Sequence, residues 1–228
     1  MPVSTLSIED VIRRIGEIGI IPVVRASSVD EANRAVEAIC AGGIPAVEIT
    51  MTVPNAVSVI RELVQHRQND VLIGAGTVTN AAQAESCILA GAQFLVSPGL
   101  SMAVLAEAKN HSILAIPGAL TPTELMTAQE HGASLLKIFP CGNVGGPKYL
   151  KSLRGPFPKA MLIPTGGVNA ANAADFIAAG AFALGVGADL VDAKALREGN
   201  LDKITGAARE LVSAVASARA ALPGKKQS

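Results

Sequence analysis

The chain has no tryptophan and a single tyrosine, and five phenylalanines bring its aromatic content to only 3%. So few flat rings leave little on which bases could stack. Nineteen Lys and Arg are balanced by nineteen Asp and Glu, with no basic block beyond Lys225-Lys226, so no nucleic-acid partner is expected. The three cysteines, Cys40, Cys87 and Cys141, show neither paired nor metal-ligand spacing, which suits a reducing compartment. His66, His111 and His131 fall in helical segments or at their ends, so the usual soft ligands assemble no metal site and Ser-His-Asp chemistry is unsupported. No apolar run approaches ~18 residues, so no membrane span is expected. Met1 to Asp10 lacks the basic-then-apolar layout of a signal peptide. A cytoplasmic protein acting on a small molecule, with neither membrane nor nucleic acid as partner, is the expectation.

What the chain does have is apolar material: half of its 228 residues are hydrophobic and only 17% are charged. Short apolar runs recur at the spacing of a βα unit: Ile20–Val24, Ala46–Met51, Val71–Ile73, Gln93–Val96, Ile113–Ile116, Ser134–Phe139, Met161–Ile163 and Phe182–Val186. Between them lie Ala-rich amphipathic segments at Val29–Ala41, Ala56–Gln68, Ala81–Ala90, Met102–Asn110, Pro122–His131 and Ala170–Ala179. Thr121-Pro122-Thr123-Glu124 and Ser28-Val29-Asp30-Glu31 each offer a capping box, and glycines at 42, 91, 132 and 180 offer stops. Ser7–Ile18 reads as an extra N-terminal helix over the floor, and Leu201–Leu222 as the closing helix. The runs are apolar on both faces, as parallel strands covered on both sides must be. Eight units without a composition break predict one α/β domain over residues 1–228, a (β/α)8 TIM barrel; an open doubly wound sheet is the other architecture.

Barrel chemistry collects at strand C-termini, so ionisable residues inside strands stand out. Lys137 lies in Ser134-Leu135-Leu136-Lys137-Ile138-Phe139-Pro140, and Glu48 in Val47-Glu48-Ile49-Thr50. A charged lysine costs roughly several kcal/mol to desolvate, while a neutral amine attacks carbonyl carbon. With a carboxylate beside it to move protons, the pair makes a covalent-catalysis constellation suited to a ketone. A snorkelling lysine or a structural ion pair is the alternative. Gly166-Gly167 and Gly187-Ala188 end the seventh and eighth runs, where barrels bind phosphate, with Asn169 available as an N-cap; tight turns are the other explanation. Cys141 has no base near it in sequence and reads as a loop thiol.

The ordered motifs Glu48-Ile49-Thr50, Gly74-Ala75-Gly76-Thr77-Val78, Ser97-Pro98-Gly99, Leu136-Lys137-Ile138-Phe139-Pro140 and Pro164-Thr165-Gly166-Gly167-Val168 resemble the KDPG/KHG aldolase family from about Ile8 to Leu222. The resemblance implies a class I, cofactor-free and metal-free aldolase that cleaves 2-dehydro-3-deoxy-6-phosphogluconate to pyruvate and glyceraldehyde 3-phosphate. 4-Hydroxy-2-oxoglutarate or the galactonate-type keto acid is the alternative substrate. It implies a homotrimer, Lys137 as Schiff-base residue and Glu48 as acid/base. Thr77 would hold the keto-acid carboxylate, and Gly166, Gly167 and Gly187 the phosphate. Thr50, Thr52, Pro98, Phe139 and Thr165 would line the pocket. Two positions depart from the pattern. Thr52 stands where many members have arginine, which makes Arg25 the expected carboxylate partner. Ala188 stands where many have serine, which removes a hydroxyl from the phosphate loop. A phosphosugar isomerase or decarboxylase, and a non-catalytic metabolite-binding barrel, are the rival functions.

Overall fold

The computed structural model describes residues 6–67 and 70–222; the start of the chain to Thr5, the expected helix end at Gln68 and the pair Lys225-Lys226 lie outside the described residues. Helix α1 (Ile8–Ile18) leads to β1 (Ile20–Val24), α2 (Val29–Ala41), β2 (Ala46–Thr50), α3 (Ala56–Arg67), β3 (Leu72–Gly76), α4 (Ala81–Leu89), β4 (Phe94–Val96) and α5 (Met102–Asn110). Then come β5 (Leu114–Ile116), β6 (Gly118–Ala119), α6 (Pro122–Glu130), β7 (Leu135–Ile138), a 3-10 turn (Gly142–Val144) and α7 (Pro147–Arg154). The order finishes with β8 (Met161–Pro164), α8 (Ala173–Ala178), β9 (Leu184–Val186), α9 (Ala193–Arg197) and α10 (Leu201–Ala220).

The strands form a curled parallel arrangement in two pieces, β5-β4-β3-β2-β1-β9 and β6-β7-β8. Alternation along each strand separates two apolar cores. Ile21, Ala46, Leu72, Phe94, Leu114 and Leu135 point to the inside of the curl, where Val11 and Ile15 of α1 join them. Val24, Val47, Ile73, Leu95 and Leu136 point outward into the core beneath the helices. Leu72, Leu114 and Leu135 are the first residues of their strands, so α1 closes the N-terminal end. Helix α1 is held there at both of its ends. Ser7 accepts from the Asp10 N–H at the N-cap, and the α10 guanidinium of Arg219 donates to the Gly16 and Glu17 carbonyls. The C-terminal end of the sheet, which carries the candidate residues, has no such cover from α1.

Most elements match expectation, and the differences have physical causes. The run Val71–Ile73 continues as strand to Gly76, because glycines at 74 and 76 leave room for large neighbours on β2 and β4. The fifth run is broken at Pro117, which has no N–H to give a ladder; β5 pairs with β4, and β6 beyond the proline pairs with β7. Helix α8 starts at Ala173 rather than Ala170. Asn169 does not cap it; the side chains of Asn169 and Asn172 instead accept from each other's backbone N–H, holding the preceding turn. The Thr121 capping box is complete, whereas at Ser28 only half forms: Glu31 bonds back to Ser27 instead. The short helices α7 and α9 are additions, too brief to leave a periodic signature.

Candidate active site

Among the described residues, the buried polar and charged side chains are Glu48, Thr50, Ser97, Lys137 and Thr165. All five come from C-terminal halves of strands or the residues just beyond them. Lys137, on β7, is 6% exposed and Glu48, on β2, is 2% exposed, and both point to the inside of the curl. Their Nζ and Oε1 atoms are 3.8 Å apart, an ion-pair distance too long for a hydrogen bond. Buried Glu48 Oε1 makes no hydrogen bond to a protein group among the described residues. A small polar molecule bridging the amine and the carboxylate could hydrogen-bond to both. The Phe139 ring lies beside the amine, with its centroid 5.4 Å from Nζ.

Glycine on the adjacent strands makes this arrangement possible. A β-carbon on Gly76 would stand 1.8 Å from Glu48 Oε1, and one on Gly185 would stand 2.1 Å from Thr165 Oγ1. Neither polar side chain could sit where it does beside an alanine. Gly76 was not expected as a site residue; it pairs with Thr50 in register, and the Glu48 side chain reaches along the strand into the space beside it.

The remaining predicted residues gather at the same end. Arg25, just past β1, is exposed and donates from one terminal guanidinium nitrogen to Thr52 Oγ1 at 3.3 Å. Thr52 Oγ1 lies 2.7 Å from Thr50 Oγ1, and Thr50 donates to the Val24 carbonyl. Thr77 follows β3 in a left-handed conformation, φ 57°, which strains a β-branched residue. Gly166 and Gly167 both take positive φ, 86° and 76°, and the Gly142 N–H donates to the Gly166 carbonyl, so the turn after β7 packs directly on this loop. Gly142 was not anticipated; a β-carbon there would meet the Gly166 carbonyl at 2.8 Å. The Thr165–Gly185 bridge brings the ends of β8 and β9 together, and Leu190 and Val191 close a helical turn onto the Gly187 carbonyl. The first N–H groups of such a turn, including that of Ala188, find no acceptor within it. Pro98 packs its carbonyl against Gly118. Pro98, Thr77 and Ala188 reach this end through strand register rather than through a bond to the Lys137–Glu48 pair.

Two further features help delimit the site. Cys141 directly follows the cis Phe139–Pro140 unit yet is fully buried, and burial pushes its thiol up to about 11, so it supplies no thiolate at neutral pH. A cavity of about 620 Å³ lies at the opposite end, between α5 and α6, lined mainly by apolar groups such as Leu105 and Ile113. It contains neither Lys137 nor Glu48. Among the described residues no cluster of His, Cys, Asp and Glu is placed to hold a metal ion, and no helix is long and apolar enough to cross a membrane.

The family model described as KDPG and KHG aldolase matches residues 11–207. The chain belongs to that family. It is 39% identical over 194 residues to the 2-dehydro-3-deoxy-phosphogluconate aldolase of Dickeya dadantii (strain 3937), covering 85% of this chain and 91% of that protein. It is 37% identical over 193 residues to the KHG/KDPG aldolase of Escherichia coli (strain K12), covering 85% and 90%. A solved structure of the KDPG aldolase from Legionella pneumophila, with pyruvate captured at low pH as a covalent carbinolamine intermediate, superposes with a TM-score of 0.82 at 31% identity, covering 88% of this chain and 97% of that one. For a KDPG and KHG aldolase, the conjunction of a buried amine, a buried carboxylate beside it and a glycine-lined rim is chemically apt. An amine can add to a ketone only where a neighbouring group exchanges the protons of addition and dehydration.

Proposed function

We propose that this chain is a class I aldolase that cleaves 2-dehydro-3-deoxy-6-phosphogluconate to pyruvate and glyceraldehyde 3-phosphate on a single (β/α)8 barrel. The observation that carries the reading is the buried Lys137–Glu48 pair, 3.8 Å apart toward the C-terminal end of a parallel sheet. Closure of the barrel is supported on both sides of the β6-β7-β8 piece. Pro117 alone separates β6 from β5, and the Phe182 N–H donates to the Leu162 carbonyl at 2.9 Å beside the Thr165–Gly185 bridge.

In this mechanism the neutral Lys137 amine attacks the C2 carbonyl carbon, and loss of water gives a protonated imine. Glu48 carries the protons of that exchange and then removes the C4 hydroxyl proton. The C3–C4 bond breaks, its electron pair passes to the imine as an enamine, and the aldehyde leaves. Protonation of the enamine at C3 and hydrolysis of the imine return pyruvate and the free amine. Arg25 and Thr77 hold the carboxylate of the pyruvyl half, and Thr50, Thr52, Pro98, Phe139 and Thr165 shape the pocket. The backbone at Gly166, Gly167, Gly187 and Ala188 takes the phosphate. No metal or organic cofactor enters these steps. Ala188 offers the phosphate an N–H but no hydroxyl, which favours 4-hydroxy-2-oxoglutarate as a second substrate. The family resemblance further supports a homotrimer in the cytoplasm, a state that sedimentation would check.

Treatment with pyruvate and borohydride should add the mass of one reduced pyruvyl group at Lys137, and lactate-dehydrogenase coupling should report pyruvate release from the phosphorylated keto acid. An unmodified protein, or a label on another lysine, would overturn the assignment.

A further inference from the structure

We infer that Thr52 is a positioning residue for Arg25, anchored through Thr50, and that it has no proton left to donate to the substrate. The inference rests on the reading above that Arg25 receives the keto-acid carboxylate. It follows from counting protons along three bonded groups. Thr50 is fully buried and its hydroxyl donates to the Val24 carbonyl at 3.0 Å. A hydroxyl has one proton, so Thr50 can only accept across the 2.7 Å contact with Thr52. Thr52 must therefore be the donor there, which spends its only proton. Its remaining role toward Arg25 is that of acceptor, at 3.3 Å from the guanidinium. The direction is fixed from end to end: Arg25 donates to Thr52, Thr52 to Thr50, and Thr50 to Val24.

The chain of donors ends on the backbone carbonyl of the residue immediately before Arg25. An exposed arginine is thus tied back to its own strand end through two hydroxyls on the neighbouring loop and strand. Among the described residues Arg25 uses one of its five guanidinium N–H groups, and the rest suffice to meet a carboxylate bidentately. An untethered arginine at this exposed position would have to be ordered each time substrate bound, so the tether improves affinity for the carboxylate half. The chemistry recognised is that of a 2-oxo acid, and Thr52 sets how well its carboxylate is held by way of Arg25.

The test is the initial rate of borohydride labelling of the full chain as a function of pyruvate concentration. Thr52→Val is expected to raise the half-saturating pyruvate concentration about tenfold, with the rate at saturation changed by less than about twofold, and Thr52→Ser to recover most of the loss. In an Arg25→Ala background, where the half-saturating concentration is already raised, adding Thr52→Val should change nothing further. An unchanged half-saturation in Thr52→Val alone would overturn the proposal. So would an equal rise in both backgrounds, because Thr52 would then act independently of Arg25. Failure of the wild-type protein to label at all would instead overturn the aldolase reading on which the proposal stands.

Discussion

Replacing Gly76 by alanine tests the active-site geometry with a single methyl group. The glycine occupies the last position of β3 without a positive φ, so its backbone accepts alanine; only space forbids it. The added carbon would lie 1.8 Å from Glu48 Oε1 and 2.4 Å from Glu48 Cδ. Carbon and oxygen do not approach within 3.0 Å, so the carboxylate must retreat by more than 1 Å. A displacement of that size at a proton-transferring group costs about a hundredfold in rate. The crowding itself costs about 1–3 kcal/mol of stability, visible as a fall in Tm of a few degrees. Coupled pyruvate release should therefore fall about a hundredfold in kcat for a protein that still melts cooperatively. Gly206→Ala is the control: it sits within α10 with no atom in reach of a β-carbon, and should gain about 0.5–1 kcal/mol with activity unchanged. A Gly76→Ala enzyme within about threefold of wild-type kcat would refute the reasoning, since Glu48 could not then need its present position.

Lys137→Ala should abolish turnover and also destabilise the fold by about 3 kcal/mol, because it leaves Glu48 buried without its partner; adding Glu48→Gln should recover much of that loss in urea titrations. Ala188→Ser should lower KM for the phosphorylated keto acid by about fivefold and leave KM for 4-hydroxy-2-oxoglutarate unchanged in steady-state assays. Stability should fall as pH rises from 9 toward 11. Burial holds the thiols of Cys87 and Cys141 at about 11, against the ordinary 9.0 of an unfolded chain. The unfolded state therefore loses protons first and is favoured across that window, which denaturation midpoints measured from pH 8 to 11 would report.

The sequence was most readable where one local rule sufficed. Helices α2 and α5 kept their expected bounds because each follows a serine cap and carries enough turns to show its period. Glu48 and Lys137 were visible as charges in runs that were otherwise strand, and the fold brings them together across 89 positions of sequence. What escaped was what depends on a neighbour. Gly76 looked like the start of a loop because nothing local reveals that Glu48 needs the empty space beside it. The bond from Arg25 to Thr52 spans 27 positions, and read locally Arg25, Thr50 and Thr52 are unconnected polar residues near two strand ends. Pro117 marked a strand end, yet the chain resumes pairing one residue later on the other side of the break.

The contact between Arg219 and α1 has a consequence for the order of assembly. Arg219 donates to carbonyls 203 and 202 positions earlier in the chain. During synthesis α1 is made before any strand, but the guanidinium that fixes it arrives only as α10 is completed. Val11 and Ile15 have no finished set of strands beneath them until β9 is made, and no tether until Arg219 follows. Contacts so distant in sequence form late because the intervening chain must first be ordered. Helix α1, made before every described strand, is thus among the last elements to be secured, and a nascent chain stalled before Arg219 would lack the tether that fixes it over the apolar floor.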